Sequence, residues 1–95
     1  MPARVLRLTE RFNRAVRKAG AGGGTPEGKA LSTMLRGMLT ESLPGSQDAE
    51  TMYPPVRRYW FRRVPGFNLW LYFRFDDSQF AAVDLSARPP VPILD

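Results

Sequence analysis

Residues 56–86 read VRRYWFRRVPGFNLWLYFRFDDSQFAAVDLS, and the fold class turns on how they are divided. Pro65-Gly66 and Asp76-Asp77-Ser78 are residues that tight turns use. They separate three runs, about 56–64, 68–75 and 79–86, that are rich in aromatic and aliphatic side chains. The spacing predicts three consecutive strands of an antiparallel meander. Side chains alternate along a strand, so in the first run Arg58, Trp60 and Arg62 share one face and Arg57, Tyr59, Phe61 and Arg63 the other. Either face can be the buried one, because a slip of one residue exchanges them.

Upstream, the period changes from two to 3.6. Phe12, Ala15, Val16 and Ala19 recur at helical spacing, with Arg11, Arg14, Arg17 and Lys18 between them and Thr9 positioned as N-cap, which predicts an amphipathic helix over 10–19. Thr25-Pro26-Glu27 is a second helix start: a hydroxyl N-cap, a proline in the first turn and a carboxylate near the positive end of the dipole. Leu31, Met34, Leu35, Met38, Leu39 and Leu43 then form one apolar stripe, predicting a helix over 26–43 that stops near Pro44-Gly45. Gly20 to Gly24 holds four glycines and one alanine and must turn. It is not a P-loop, which follows a strand and ends in Lys-Ser/Thr, whereas here the glycines follow a helix and Lys29 precedes Ala30.

Val5, Leu6 and Leu8 alternate loosely with Arg4 and Arg7, a short first strand over 4–8. Ser46 to Pro55 is polar and ends in two prolines, and reads as a loop. Residues 87–95, with Pro89, Pro90 and Pro92, cannot form a central strand and are expected to extend along a sheet edge. The expected protein is a single α+β domain of 95 residues: a strand, a two-helix hairpin, then the meander.

Composition removes whole classes of chemistry. With no Cys and no His, thiolate and imidazole metal sites, Ser-His-Asp triads and histidine acid/base catalysis are excluded, and neither a metal nor a cofactor is expected. The lack of cysteine fits a reducing, cytoplasmic setting. Arg4 and Arg7 interrupt the apolar residues of the first nine, which argues against a signal peptide, and no run approaches the ~20 apolar residues of a membrane span. Net charge is +5 and the pI about 10.4. The excess is arginine, since Lys18 and Lys29 are the only lysines. Arginine's planar fork suits phosphates, carboxylates and stacking on bases, although the codon usage of a GC-rich genome produces the same bias.

The candidate binding surface is the cluster Arg57, Arg58, Tyr59, Trp60, Phe61, Arg62, Arg63, extended by Arg74 on the next strand. Arginines interleaved with aromatics fit phosphate contact and base stacking. The same arginines would also serve as solvated partners of Asp76, Asp77 and Asp84 across the sheet. Asp76 and Asp77 are adjacent, read as turn formers, and are poorly placed as an acid/base pair.

The order of elements, and the run Arg58-Tyr59-Trp60-Phe61-Arg62, Pro65-Gly66, Leu69-Trp70-Leu71-Tyr72-Phe73-Arg74, Asp76-Asp77, Phe80 to Leu85 and Arg88, resemble the RelE/ParE toxins of bacterial type II toxin-antitoxin systems. The resemblance implies a growth-inhibiting toxin neutralised by a cognate antitoxin protein and acting either on translation, as an mRNA endoribonuclease at the ribosome, or on DNA gyrase. It further implies that Arg62, with Arg63, is a strand base of the ribonuclease branch and that Arg88 is its C-terminal arginine. Phe67-Asn68-Leu69 stands where those ribonucleases tend to have an arginine, and Pro89-Pro90-Val91 follows Arg88 where they have Tyr or His. Charge stabilisation is present without the expected acid and base, a loss of ~10²-fold for each missing proton-transfer group. Two other readings follow from the residues themselves. One is a non-catalytic RNA- or DNA-binding module. The other is a phage-type accessory protein whose Trp60, Trp70 and proline-rich tail make protein contacts.

Overall fold

Thr9 and Thr25 start the two helices. Each holds an extended backbone while its hydroxyl oxygen accepts the N–H three residues on, from Phe12 and from Gly28, which satisfies one of the donors a helix N-terminus leaves unpaired. The computed structural model describes residues 3–53 and 57–93. It places β1 at Val5–Leu8, α1 at Glu10–Lys18, α2 at Pro26–Met38, β2 at Ala49–Tyr53, β3 at Arg57–Arg63, β4 at Trp70–Phe75 and β5 at Gln79–Ser86. The fold is α+β, with a short N-terminal strand, two helices and one sheet.

The sheet exceeds the expected three-stranded meander. Its order is β1-β5-β4-β3-β2, with β2 to β5 antiparallel and β1 parallel to β5. The added strand, β2, lies in the stretch read as a loop, and pairs Ala49 to Met52 with Phe61 to Arg58. Helix α2 ends at Met38, short of 43. There the N–H groups of Leu39 and Thr40 bond carbonyls only three residues back, a tightened last turn, yet Leu39 and Leu43 still pack against the core. Val56, where the first strand of the meander was expected to begin, and the last two residues of the tail lie outside the described residues.

Residues directly opposite on neighbouring strands share a face. Trp60 faces Phe73, and Arg62 faces Leu71 and then Leu85, so this is the face that the helices cover. Phe12 of α1 and Leu31, Met34, Leu35 and Met38 of α2 pack there on Val64, Leu71, Phe73, Phe80 and Leu85, with the Phe73 and Phe80 rings stacked 5.1 Å apart. A β-bulge between Tyr72 and Phe73 leaves Val83 without an opposite residue. Arg4 clips the corner where three segments meet, donating to the carbonyls of Asp76 and Glu41 and lying 5.6 Å from the Phe75 ring centroid.

The other face carries Thr51, Tyr59, Phe61, Arg63, Trp70, Tyr72 and Arg74. The core residues of the helices pack on the opposite face, yet Thr51, Tyr59 and Tyr72 are only 3–7% exposed. Among the described residues, the tail is the segment that bonds Thr51. From Ser86 at the end of β5 the chain reaches β2, where the Thr51 hydroxyl donates to the Val91 carbonyl (2.7 Å) and the Ile93 N–H to the Glu50 carbonyl (2.8 Å). The tail thus caps the β2 edge of the sheet.

The glycine-rich connection is a packed turn. A Cβ on Gly28 would stand 1.9 Å from the Gly22 carbonyl oxygen, whereas one on Gly37 meets open space. Gly28→Ala is therefore expected to destabilise the fold by at least ~1–3 kcal/mol through overpacking, while Gly37→Ala should stabilise it by up to ~1 kcal/mol through helix propensity. Urea unfolding midpoints of the two variants test this, and equal effects would show the close approach to be unimportant.

At the β4–β5 turn the Asp76 carboxylate accepts the N–H groups of Ser78 and Gln79 and the Ser78 hydroxyl. Those bonds, the Ser78 N–H foremost, hold its pKa below the usual carboxylate value. A lowered folded-state pKa contributes stability above the unfolded-state value and loses it as pH falls through the folded one. The stability gap between the wild type and Asp76→Asn, compared by thermal melts, should be present at neutral pH and close as pH drops below about 4.

Candidate functional site

Arg62 and Arg63 are adjacent in β3 and have opposite fates. Arg62 points under the helices, with its side chain 4% exposed. Its Nε donates to Asp48 Oδ1 (2.5 Å) and its Nη2 to Asp48 Oδ2 (2.8 Å) and Glu41 Oε1 (2.6 Å). The Asp48 side chain has no exposed surface, and its Oδ2 also accepts the Gly45 N–H. A Cβ on Gly45 would lie 2.9 Å from Arg62 Nη2, so the loop between α2 and β2 is shaped around this guanidinium. Burial alone would lower the Arg62 pKa. The hydrogen bonds that Arg62 donates to Asp48 and then Glu41 outweigh it and hold the pKa above arginine's ordinary value. A bidentate, charge-assisted pair of this kind is among the stronger polar contacts in proteins.

Arg63 points to the opposite face and is exposed. Its Nε donates to the Phe67 carbonyl and its Nη2 to Asn68 Oδ1, both at 2.9 Å, and the guanidinium carbon lies 5.9 Å from the Trp70 ring centroid. Both partners are neutral. The charge is held in place on an aromatic ring without being neutralised, a geometry in which arginine can meet an anion or a base.

The remaining predicted residues divide in the same way. Arg57 and Arg74 are exposed, on the face that carries Arg63, and neither forms an ion pair among the described residues. Arg58 belongs to the helix side at the far end of β3 and pairs loosely with Glu50 at 3.9 Å. Trp60 packs into the core, 6.1 Å from the Phe75 ring, and is no part of an exposed stripe. Arg88 is exposed on the tail, beside Lys18 and Ser86 in a cleft of about 570 Å³ between α1 and the end of β5. Arg62 lies in another cleft, with Lys29, Thr33 and Glu41, so Arg62 and Arg88, the two arginines that the resemblance assigns to a ribonuclease's catalytic site, are not brought together.

Asp84 is not a partner of the exposed arginines either. It is buried and bonds Arg11 of α1 at 3.3 Å. Sequence reasoning passed over Asp48 and Glu41, the partners of Arg62, and Arg7, which lies in register with Ala81 and so in one row with Arg74. Tyr59 and Tyr72 are buried, and the chain holds no histidine. Among the described side chains, the exposed face therefore offers cationic and stacking groups without an imidazole or an exposed tyrosine.

Among the described residues no helix is long and apolar enough to cross a membrane, and no cluster of three or more His, Cys, Asp or Glu is placed to hold a metal. Comparison with protein-family models, with curated proteins and with solved structures returns no match.

Removing Arg62 strands a buried carboxylate. Arg62→Ala is expected to cost ~3–5 kcal/mol, and Arg63→Ala no more than about 1 kcal/mol, as for an exposed polar contact. Chemical denaturation distinguishes them, and a small loss at Arg62 would make it a free functional group instead of a structural one.

Proposed function

We propose that this chain is the toxin component of a type II toxin-antitoxin pair, of the RelE/ParE kind, and that it acts by gripping its target without cutting RNA. The reading is supported by the sequence resemblance and, above all, by Arg63: a positioned, uncompensated guanidinium on Trp70, with Arg57 and Arg74 exposed on the same face. Such a surface holds a phosphate backbone and stacks on unpaired bases. Arg62, committed to Asp48 and Glu41, contributes to the fold and leaves the target to its neighbours. Charge stabilisation with no imidazole or exposed tyrosine among the described side chains of this face favours binding over strand scission. The target is ribosome-bound mRNA or DNA gyrase, and the antitoxin is the protein that covers the basic face.

The locked Arg62 also favours a second reading, a nucleic-acid-binding module without toxicity. Inducible expression in a bacterial host separates the two. Growth arrest with intact mRNA, relieved in the double variant Arg63→Ala, Arg74→Ala, is the expected result, and disturbed supercoiling then assigns gyrase. Arrest with cleaved mRNA would overturn the non-cutting mechanism. Normal growth with RNA binding that weakens steeply with salt would establish the module, and normal growth without such binding would remove both.

A further inference from the structure

The two edges of the sheet are treated differently. The β2 edge is capped by the chain's own tail at Thr51 and Glu50. Among the described residues, the β1 edge has no such cover beyond Arg4. The N–H groups of Val5 and Thr9 point inward, to the carbonyls of Ser78 and Ala82. Strand alternation then turns the backbone groups of Leu6 and Leu8 outward. The Leu39 carbonyl takes the Arg4 N–H at the start of this edge, and among the described residues no hydrogen bond reaches the amides of Leu6 or Leu8 from the outer side. Two of the large apolar side chains most exposed in the structure stand here, Val5 at 64% and Leu8 at 47%. Proteins ordinarily blunt an edge of this kind, because it is a template for another strand.

We infer that the β1 edge is a docking site for an extended segment of a partner protein, one in which apolar residues alternate with acidic ones. Leu6 and Leu8 share the helix-side face, since they pair with Phe80 and Ala82 of the core, and they call for apolar residues opposite. Val5 and Arg7 lie on the other face. Arg7 is exposed, held among the described residues by the Gln79 side-chain oxygen at 3.2 Å, and has Arg74 two strands away in its row. A carboxylate on the added strand meets that charge. A second copy of this chain does not: antiparallel self-pairing through Leu6 and Leu8 sets Arg7 against Arg7, and like charges directly opposite are destabilising. The main-chain bonds of an added strand supply affinity and the alternation supplies selectivity. This inference is independent of the toxin reading.

The test uses the full chain and a short synthetic peptide of alternating valine and glutamate, with a valine-lysine peptide as control. Amide hydrogen exchange should slow at Leu6 and Leu8 when the glutamate peptide is added. The control should bind at least about tenfold more weakly, the equivalent of one modest ion pair and its removed repulsion. Leu8→Pro deletes an outward N–H while leaving the ladder to β5 intact, and should abolish binding with the thermal midpoint little changed. If that variant does not fold, Arg7→Glu carries the test by reversing the preference to the lysine peptide. Protection elsewhere than Leu6 and Leu8, equal binding of both peptides, or sedimentation as a dimer that the peptide cannot displace would overturn the inference.

Discussion

A single buried guanidinium organises the irregular connection between α2 and β2. Arg62 sits on β3, one strand in from the edge, yet its partners come from the connection that leads out of α2, Glu41 at its beginning and Asp48 just before β2. The ion cluster therefore fixes where that connection runs, and with it the place at which β2 can join β3. Satisfaction of every donor matters more here than the energy of any one bond, because a buried charge left with half its partners costs more than an apolar residue in its place. Among the described residues, no buried side-chain nitrogen or oxygen is left without a partner.

What could be read from the sequence and what could not divide along a physical line. The caps at Thr9 and Thr25, the two turns of the meander and the β5 run were legible, because each depends on residues within a few positions of one another. β2 was not: AETMY carries no apolar alternation, since a strand at an edge, beside a tail that supplies its cover, needs none. The end of α2 was obscured because Leu39 and Leu43 continue the apolar stripe after the helix has stopped, packing into the same core from irregular chain.

The candidate site was legible as a cluster and illegible as a surface. RRYWFRR contains no signal that distinguishes the arginine to be buried from the one to be shown. That choice rests on Asp48, 14 residues away, and Glu41, 21 away, two acids whose loop context gives no reason to single them out. Charge counting treats Arg62 and Arg63 alike, whereas the fold neutralises the first and sets the second on an indole. The net charge of +5 thus understates how unevenly the free cations are distributed.

The parallel pairing of β1 with β5 joins residues 5–8 to residues 79–82. During synthesis the first strand leaves the ribosome long before its neighbour exists, and closing so large a loop must precede the contacts that reward it. The helices can form locally, but the sheet that shelters their apolar faces completes only with the last strand. Until then Val5, Leu6 and Leu8 have nothing to pair with, so a chain stalled before β5 is a candidate for chaperone capture and proteolysis, and the cell's exposure to such fragments is set by translation speed as much as by the stability of the finished protein.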